Sequence, residues 1–262
     1  MKKTSVRFYM VARALGYLLS AIFAFAATQT ARGGSYEFTG EVDNKWGTAG
    51  NWRVASAGTQ QSSVPSGGHN LNFWPSTKMQ QSFADNPVVE IDGIYSTTWK
   101  LHVRNLGTES APVVFKADTD DHGVTAGNAN TGDNTGYYIA NDTGDAWLRL
   151  EKGTYKTGSA GYWFIGSGSY VGHVVACDGV TMSGYQIQLK NGSFSATNTA
   201  LTVNNTCYFG YQSGKSVTVF KKDGAWTMNV NMHIGHNGGA TMVQRPQRYL
   251  VQSFSVRRRT TS

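Results

Sequence analysis

Apolar and polar residues alternate in short runs along most of this chain, and almost nowhere do they fall at helical spacing. Tyr36-Glu37-Phe38 is a short alternating strand, and Val64 to Phe73 reads as a turn followed by another. Pro87 to Ile91 and Ala111 to Ala117 are further strands, separated by Gly, Asn and Asp turns. In Trp99-Lys100-Leu101-His102-Val103 the alternation predicts Trp99, Leu101 and Val103 inside, with Lys100 and His102 facing water. The clearest alternations come late: Val217 and Val219, then Trp226, Met228 and Val230, each set on one face.

From Ala146 to Ala240 a pattern recurs with drifting spacing. An apolar residue precedes Gly, a β-rich run follows, and Asp-Gly comes next with a Met shortly after it. Ile165-Gly166 leads to Asp178-Gly179 and Met182, and Phe209-Gly210 leads to Asp223-Gly224 and Met228. A third copy opens at Ile234-Gly235. Leu150-Glu-Lys-Gly-Thr-Tyr155 is also echoed, 39 residues on, by Leu189-Lys-Asn-Gly-Ser-Phe194. A strand of this kind cannot bury its apolar face alone, and stacking on neighbouring turns removes that face from water. The predicted fold is therefore all-β, a right-handed parallel β-helix, with an antiparallel β-sandwich as the runner-up. Thirty-one Gly and five Pro, with few Leu or Glu, agree with a turn-rich β chain.

The ends differ from the middle. Lys2, Lys3, Arg7 and Arg13 followed by the apolar segment Ala14 to Ala27 read as a signal peptide over residues 1–27. That segment is short and interrupted for a membrane span, so the expected address is exported: extracellular, cell surface or outer membrane, with no span after signal removal. The formal charge of +7 sits at the two ends, since Ala27 to Ala240 holds 14 basic and 16 acidic residues. Nucleic acid is accordingly not an expected partner of the folded part. The predicted organisation is 34–117 for an N-terminal cap and first rungs, 118–145 for an acidic Gly/Asn loop, 146–240 for repeat rungs, and 241–262 for a basic tail outside the fold. The tail carries Arg245, Arg248, Arg257, Arg258 and Arg259 and no acidic residue, which reads as a genuine basic tail, a truncation or a change of reading frame.

Trp46 and Trp52, with Gly47 and Gly50 between them, suit a tight turn that folds two rings over the end of a β core. The alternative is a platform stacking on sugar rings, with Trp46, Trp52, Trp74 and Trp99 as members. Asp118, Asp120 and Asp121 begin an oxygen-rich stretch of the type that holds Ca²⁺, but the EF-hand spacing fails because Ala129 stands where the closing Glu belongs. Cys177 and Cys207 are the only cysteines, and export would permit them to form a disulfide.

The Trp-x5-Trp segment with Asn51 before its second Trp, the Pro65 turn, Val89-x-Ile91-Asp92 and the later Ile-Gly and Asp-Gly rungs together resemble the exported β-solenoid proteins of autotransporter-passenger type. The resemblance spans roughly residues 36 to 240 and implies a parallel β-helix without known activity. One departure is His69-Asn70, where such proteins commonly carry Asp after the turn.

Catalytic chemistry is poorly represented. No Gly-x-Ser-x-Gly elbow occurs, and His233 and His236 lack a carboxylate or Cys partner at metal spacing. Asp178 and Asp223 are paired-carboxylate candidates whose recurrence fits rung corners better. The expected function is a structural or adhesive surface protein without a cofactor, facing a polysaccharide or another cell-surface polymer. The alternatives are a polysaccharide-binding module and a β-helix lyase or glycosidase using acids near residues 118–145.

Overall fold

A computed structural model describes residues 34–97, 99–127 and 135–245. Residues 1–27, expected to be a signal peptide, and Arg248, Arg257, Arg258 and Arg259 lie outside the described residues, as does Ala129. The chain opens with β1 (Ser35–Phe38) and β2 (Trp52–Val54) and then winds through rungs of three strands. The first rung is β3 (Asn70–Phe73), β4 (Val88–Ile91) and β5 (Ile94–Thr97), with a short helix α1 (Gln81–Asp85) inserted after β3. The second is β6 (Lys100–Val103), β7 (Val113–Ala117) and β8 (Gly123–Ala126), and the third β9 (Gly136–Ile139), β10 (Ala146–Glu151) and β11 (Thr154–Thr157). Then come β12 (Tyr162–Ile165), β13 (Gly172–Ala176) and β14 (Thr181–Gly184), followed by β15 (Gln186–Leu189), β16 (Gly192–Thr197) and β17 (Ala200–Val203). The sixth rung is β18 (Cys207–Phe209), β19 (Ser216–Lys222) and β20 (Trp226–Met228), and a seventh begins with β21 (Met232–Ile234) and β22 (Gly239–Arg245).

Successive rungs pair in parallel and build three sheets. Sheet A has nine strands in the order β2-β1-β3-β6-β9-β12-β15-β18-β21, sheet B seven from β4 to β22, and sheet C six from β5 to β20. The protein is thus an all-β parallel solenoid. Every rung contributes alternate residues to one continuous core, including Phe115, Leu150, Tyr155, Trp163, Phe194 and Phe209, all at 0% exposure. At about 25 cal/mol per Å² this contiguous apolar burial dominates the stabilising side.

The corners explain the repeated motif. Arg104, Ala140, Gly166, Lys190, Gly210 and Gly235 each donate a backbone N–H to the last strand residue of the rung before: Phe73, Val103, Ile139, Ile165, Leu189 and Phe209. They are therefore one structural position, the turn from sheet A into sheet B. Ala140, Gly166, Gly210 and Gly235 hold φ of 53°, 69°, 78° and 71°, the left-handed region that favours Gly. A Cβ on Gly166 would also sit 1.9 Å from the Asn191 carbonyl oxygen. The Asp-Gly pairs turn sheet B into sheet C, with Gly179 at φ 80° and Asp223 and Gly224 at 57° and 75°.

Two boundaries and one repeat assignment differ from the sequence expectation. Residues 118–145 are not a loop, because β8 and β9 lie inside them and complete the second and third rungs. Their inward positions are filled by Val124, Ala126, Tyr137 and Ile139, only two to a strand and too few to stand out as alternation. The strand β22 continues through Arg245 and pairs with β19 from Ser216↔Gly239 to Lys222↔Arg245, so residues 241–245 belong to the ladder and not to a tail. The 39-residue echo joins unlike places, since Leu150 lies in a sheet B strand and Leu189 ends a sheet A strand.

The N-terminal end is closed. Strand β2 runs antiparallel to β1 and covers the edge of sheet A, a standard defence against further strand pairing. Trp46 and Trp52 fold beneath it at 1% and 0% exposure, with centroids 5.0 Å apart, and Trp52 Nε1 donates to the Trp46 carbonyl at 2.9 Å. Buried Asn51 ties the preceding loop: its Oδ1 accepts from the N–H groups of Val42 and Asp43, and its Nδ2 donates to Asp43 and to the Lys45 carbonyl.

Candidate functional site

Sheet A carries the chemically richest surface. In each strand two residues face the core and the one between them points away from it, but Asn72, His102, Tyr138 and Phe164 are covered by their neighbours at 1%, 8%, 4% and 4% exposure, so His102 does not face water as its alternation predicts. Parallel register stacks those outward residues into a column: Asn72, His102, Tyr138, Phe164, Gln188, Tyr208 and His233. His102 and Tyr138 rings lie 5.1 Å apart, and Tyr138 and Phe164 4.8 Å. Cations lie over the rings, with Lys100 Nζ 4.8 Å from the Tyr138 centroid and Lys190 Nζ 4.5 Å from that of Phe164. A cation over an aromatic face is held by the ring quadrupole.

At the N-terminal end of this column, the corners of the first three rungs border an open surface cavity of about 260 Å³ lined by Trp74, Pro75, Arg104, Asn105, Thr143 and Gly144. The Arg104 guanidinium lies 4.0 Å above the Trp74 ring. Its Nη1 donates to Asp142 at 2.6 Å and its Nη2 to Asn72 Oδ1 at 2.9 Å, while Trp74 Nε1 donates to Glu37 at 3.0 Å. Indole and guanidinium are therefore both fixed in place by partners outside the cavity, a pre-organised wall. Asn105 turns the corner at φ 49° and packs against Gly144, where a Cβ would meet the Asn105 Cβ at 2.5 Å. Burial pulls the Arg104 pKa down, opposed by the Asp142 carboxylate. His102 borders this network, with Nδ1 3.7 Å from Asp142. Burial is the main cause that lowers its pKa to about 4, with Asp142 opposing and Arg104 and Lys100 reinforcing. At neutral pH His102 is uncharged.

At the other end the outward rings form a cluster. Tyr208 is stacked on His233 at 5.0 Å and 13°, and Tyr211 on His236 at 5.6 Å and 6°. The two stacks meet nearly edge to face, with Tyr208 to Tyr211 at 67° and His233 to His236 at 75°. All four rings are at least partly exposed. Partial burial and the neighbouring His236 lower the His233 pKa.

The residues expected to bind divide sharply. Trp46 and Trp52 are core side chains and cannot stack on a ligand, because the end of a solenoid needs large rings to exclude water. Trp74 lines the cavity. Trp99 precedes β6, so it does not share the inward face of Leu101 and Val103; it is 45% exposed. Asp118 pairs with the His122 imidazole, and Lys152 lies 3.9 Å from Asp120 and donates to the Asp118 carbonyl at 2.9 Å. Asp121 is exposed, and among the described residues no group of three or more His, Cys, Asp or Glu is placed to hold a metal ion.

Cys177 and Cys207 are free thiols, which corrects the expected disulfide. Cys207 faces the core from sheet A between Ile187 and Met232, whereas Cys177 sits at the corner after β13. Asp178 and Asp223 are corner residues, and Asp178 accepts a hydrogen bond from the Asn198 amide.

Sequence reasoning missed Arg104 and the ring column. The signal lies one residue before each apolar–corner pair: His102-Val103, Tyr138-Ile139, Phe164-Ile165, Tyr208-Phe209 and His233-Ile234. Comparison with protein-family models, with curated proteins and with solved structures found no match.

Proposed function

We propose that the protein is an exported solenoid scaffold of structural or adhesive type that holds an extended polysaccharide along the outer face of sheet A. The observation that carries this reading is the cavity in which Trp74, clamped beneath Arg104, stands beside Asn105 and Thr143. A sugar ring offers an apolar face of C–H groups and a rim of hydroxyls. An indole supplies contact area for the first, and guanidinium, amide and hydroxyl groups supply partners for the second. The volume suits about one saccharide unit. The rungs repeat every ~4.8 Å along the face, which favours a linear ligand lying across the strands. The resemblance to autotransporter passengers fits the same reading.

The test is affinity electrophoresis of the secreted protein through gels containing soluble plant, algal or bacterial polysaccharides. Retardation by at least one of them, lost in Trp74→Ala and Arg104→Ala but retained in Lys116→Ala on sheet B, is the expected result. No retardation by any of them leaves a scaffold without this ligand class. Release of reducing ends or unsaturated sugars would move the reading to a lyase or glycosidase.

A further inference from the structure

The four-ring cluster at the C-terminal end of the same face has no role in that cavity. We infer that Tyr208, Tyr211, His233 and His236 form a second saccharide subsite, so that the protein grips one chain at two points; this rests on the carbohydrate reading above. The cluster differs from the rest of the column. Tyr138 and Phe164 lie under cations of the protein at 4% exposure each, whereas Tyr208 and Tyr211 stack only on imidazoles and remain partly exposed. The two ring stacks meet at a steep angle, and each ring carries a phenol or imidazole polar group beside its apolar face. That combination of apolar wall and polar edge matches a sugar ring, and two-χ aromatic side chains lose little freedom on binding.

The two sites are fixed relative to one another by the ladder. From Trp74 after β3 to Tyr208 in β18 the path crosses β6, β9, β12 and β15. At a strand spacing of about 4.8 Å the sites are roughly 20–25 Å apart. A ligand long enough to reach both binds the second site intramolecularly, which multiplies affinity by about 10² or more. A shorter one gains nothing from the second site.

The test is calorimetric titration of the whole protein with size-defined chito-, xylo- and manno-oligosaccharides from disaccharide to decasaccharide. The expected result is a step of about 100-fold in affinity once the ligand spans both sites. The doubly substituted Tyr208→Leu, Tyr211→Ser protein should abolish the step and leave only the disaccharide affinity of the Trp74 cavity, and its melting temperature reports whether the ladder stays intact. Affinity that rises smoothly with length, identically in the variant, overturns the second subsite while the Trp74 cavity stands. Absence of binding by every oligosaccharide and polysaccharide overturns both.

Discussion

Tyr137 lies flat on Trp163 inside the solenoid, with ring centroids 3.8 Å apart and planes 2° from parallel. They are register partners in β9 and β12. Each also satisfies its polar atom: Tyr137 Oη donates to the Val124 carbonyl at 2.6 Å and Trp163 Nε1 to that of Ser183 at 3.1 Å. The pair thus ties sheet A to sheet C across the core in two consecutive rungs. Trp163→Ala is expected to destabilise the protein by about 3–5 kcal/mol, the usual cost of removing a buried large aromatic side chain. Urea unfolding followed by circular dichroism measures it.

The A-to-B corner makes a second, backbone-level prediction. Gly166→Ala places a Cβ against the Asn191 carbonyl in a left-handed residue, and a loss of more than about 2 kcal/mol is expected. The equivalent Ala140 already carries a Cβ at φ 53°, so Ala140→Gly should change stability by less than about 1 kcal/mol. Comparing the two denaturation midpoints separates the clash from the conformation.

The fold was legible where residues repeat in the same corner. Ile165-Gly166, Phe209-Gly210 and Ile234-Gly235 are one position, as expected, and Trp46 with Trp52 closes the end. The intervening copies were not legible because the corner tolerates other residues: Ala140 occupies it with a strained φ and Lys190 fills it in the fifth rung. The site was half legible. Trp74 could be chosen by residue type, but Arg104 above it and the Asp142 that holds Arg104 come from the next two rungs, and the different lengths of the connections hide that alignment.

The thiols give a third prediction. Burial raises the pKa of both, far more for Cys207, which is wholly enclosed. A thiol-specific reagent should therefore modify Cys177 slowly in the native protein and Cys207 only after unfolding. Both should react in denaturant without prior reduction, and a reductant should leave the melting temperature unchanged. Two unreactive sulfurs in denaturant would mean a disulfide.

His102 links stability to pH. Its folded pKa of about 4 lies below the ordinary histidine value of 6.5, so the unfolded chain binds the extra proton between these values. This contribution is fully present above about pH 6.5, falls as the pH drops through the window, and is lost below about pH 4. The shift corresponds to about 3 kcal/mol at most. His102→Gln should flatten the stability profile between these limits, as measured by chemical denaturation at stepped pH.

Binding along sheet A is the central claim, and amide hydrogen exchange with and without a polysaccharide that retards the protein tests it most directly. The expected result is protection of the Trp74, Arg104–Asn105 and Thr143–Gly144 corners and of Tyr208–Tyr211, with no change in the sheet C strand Thr181–Gly184. Protection confined to sheet C, or to sheet B, would contradict it.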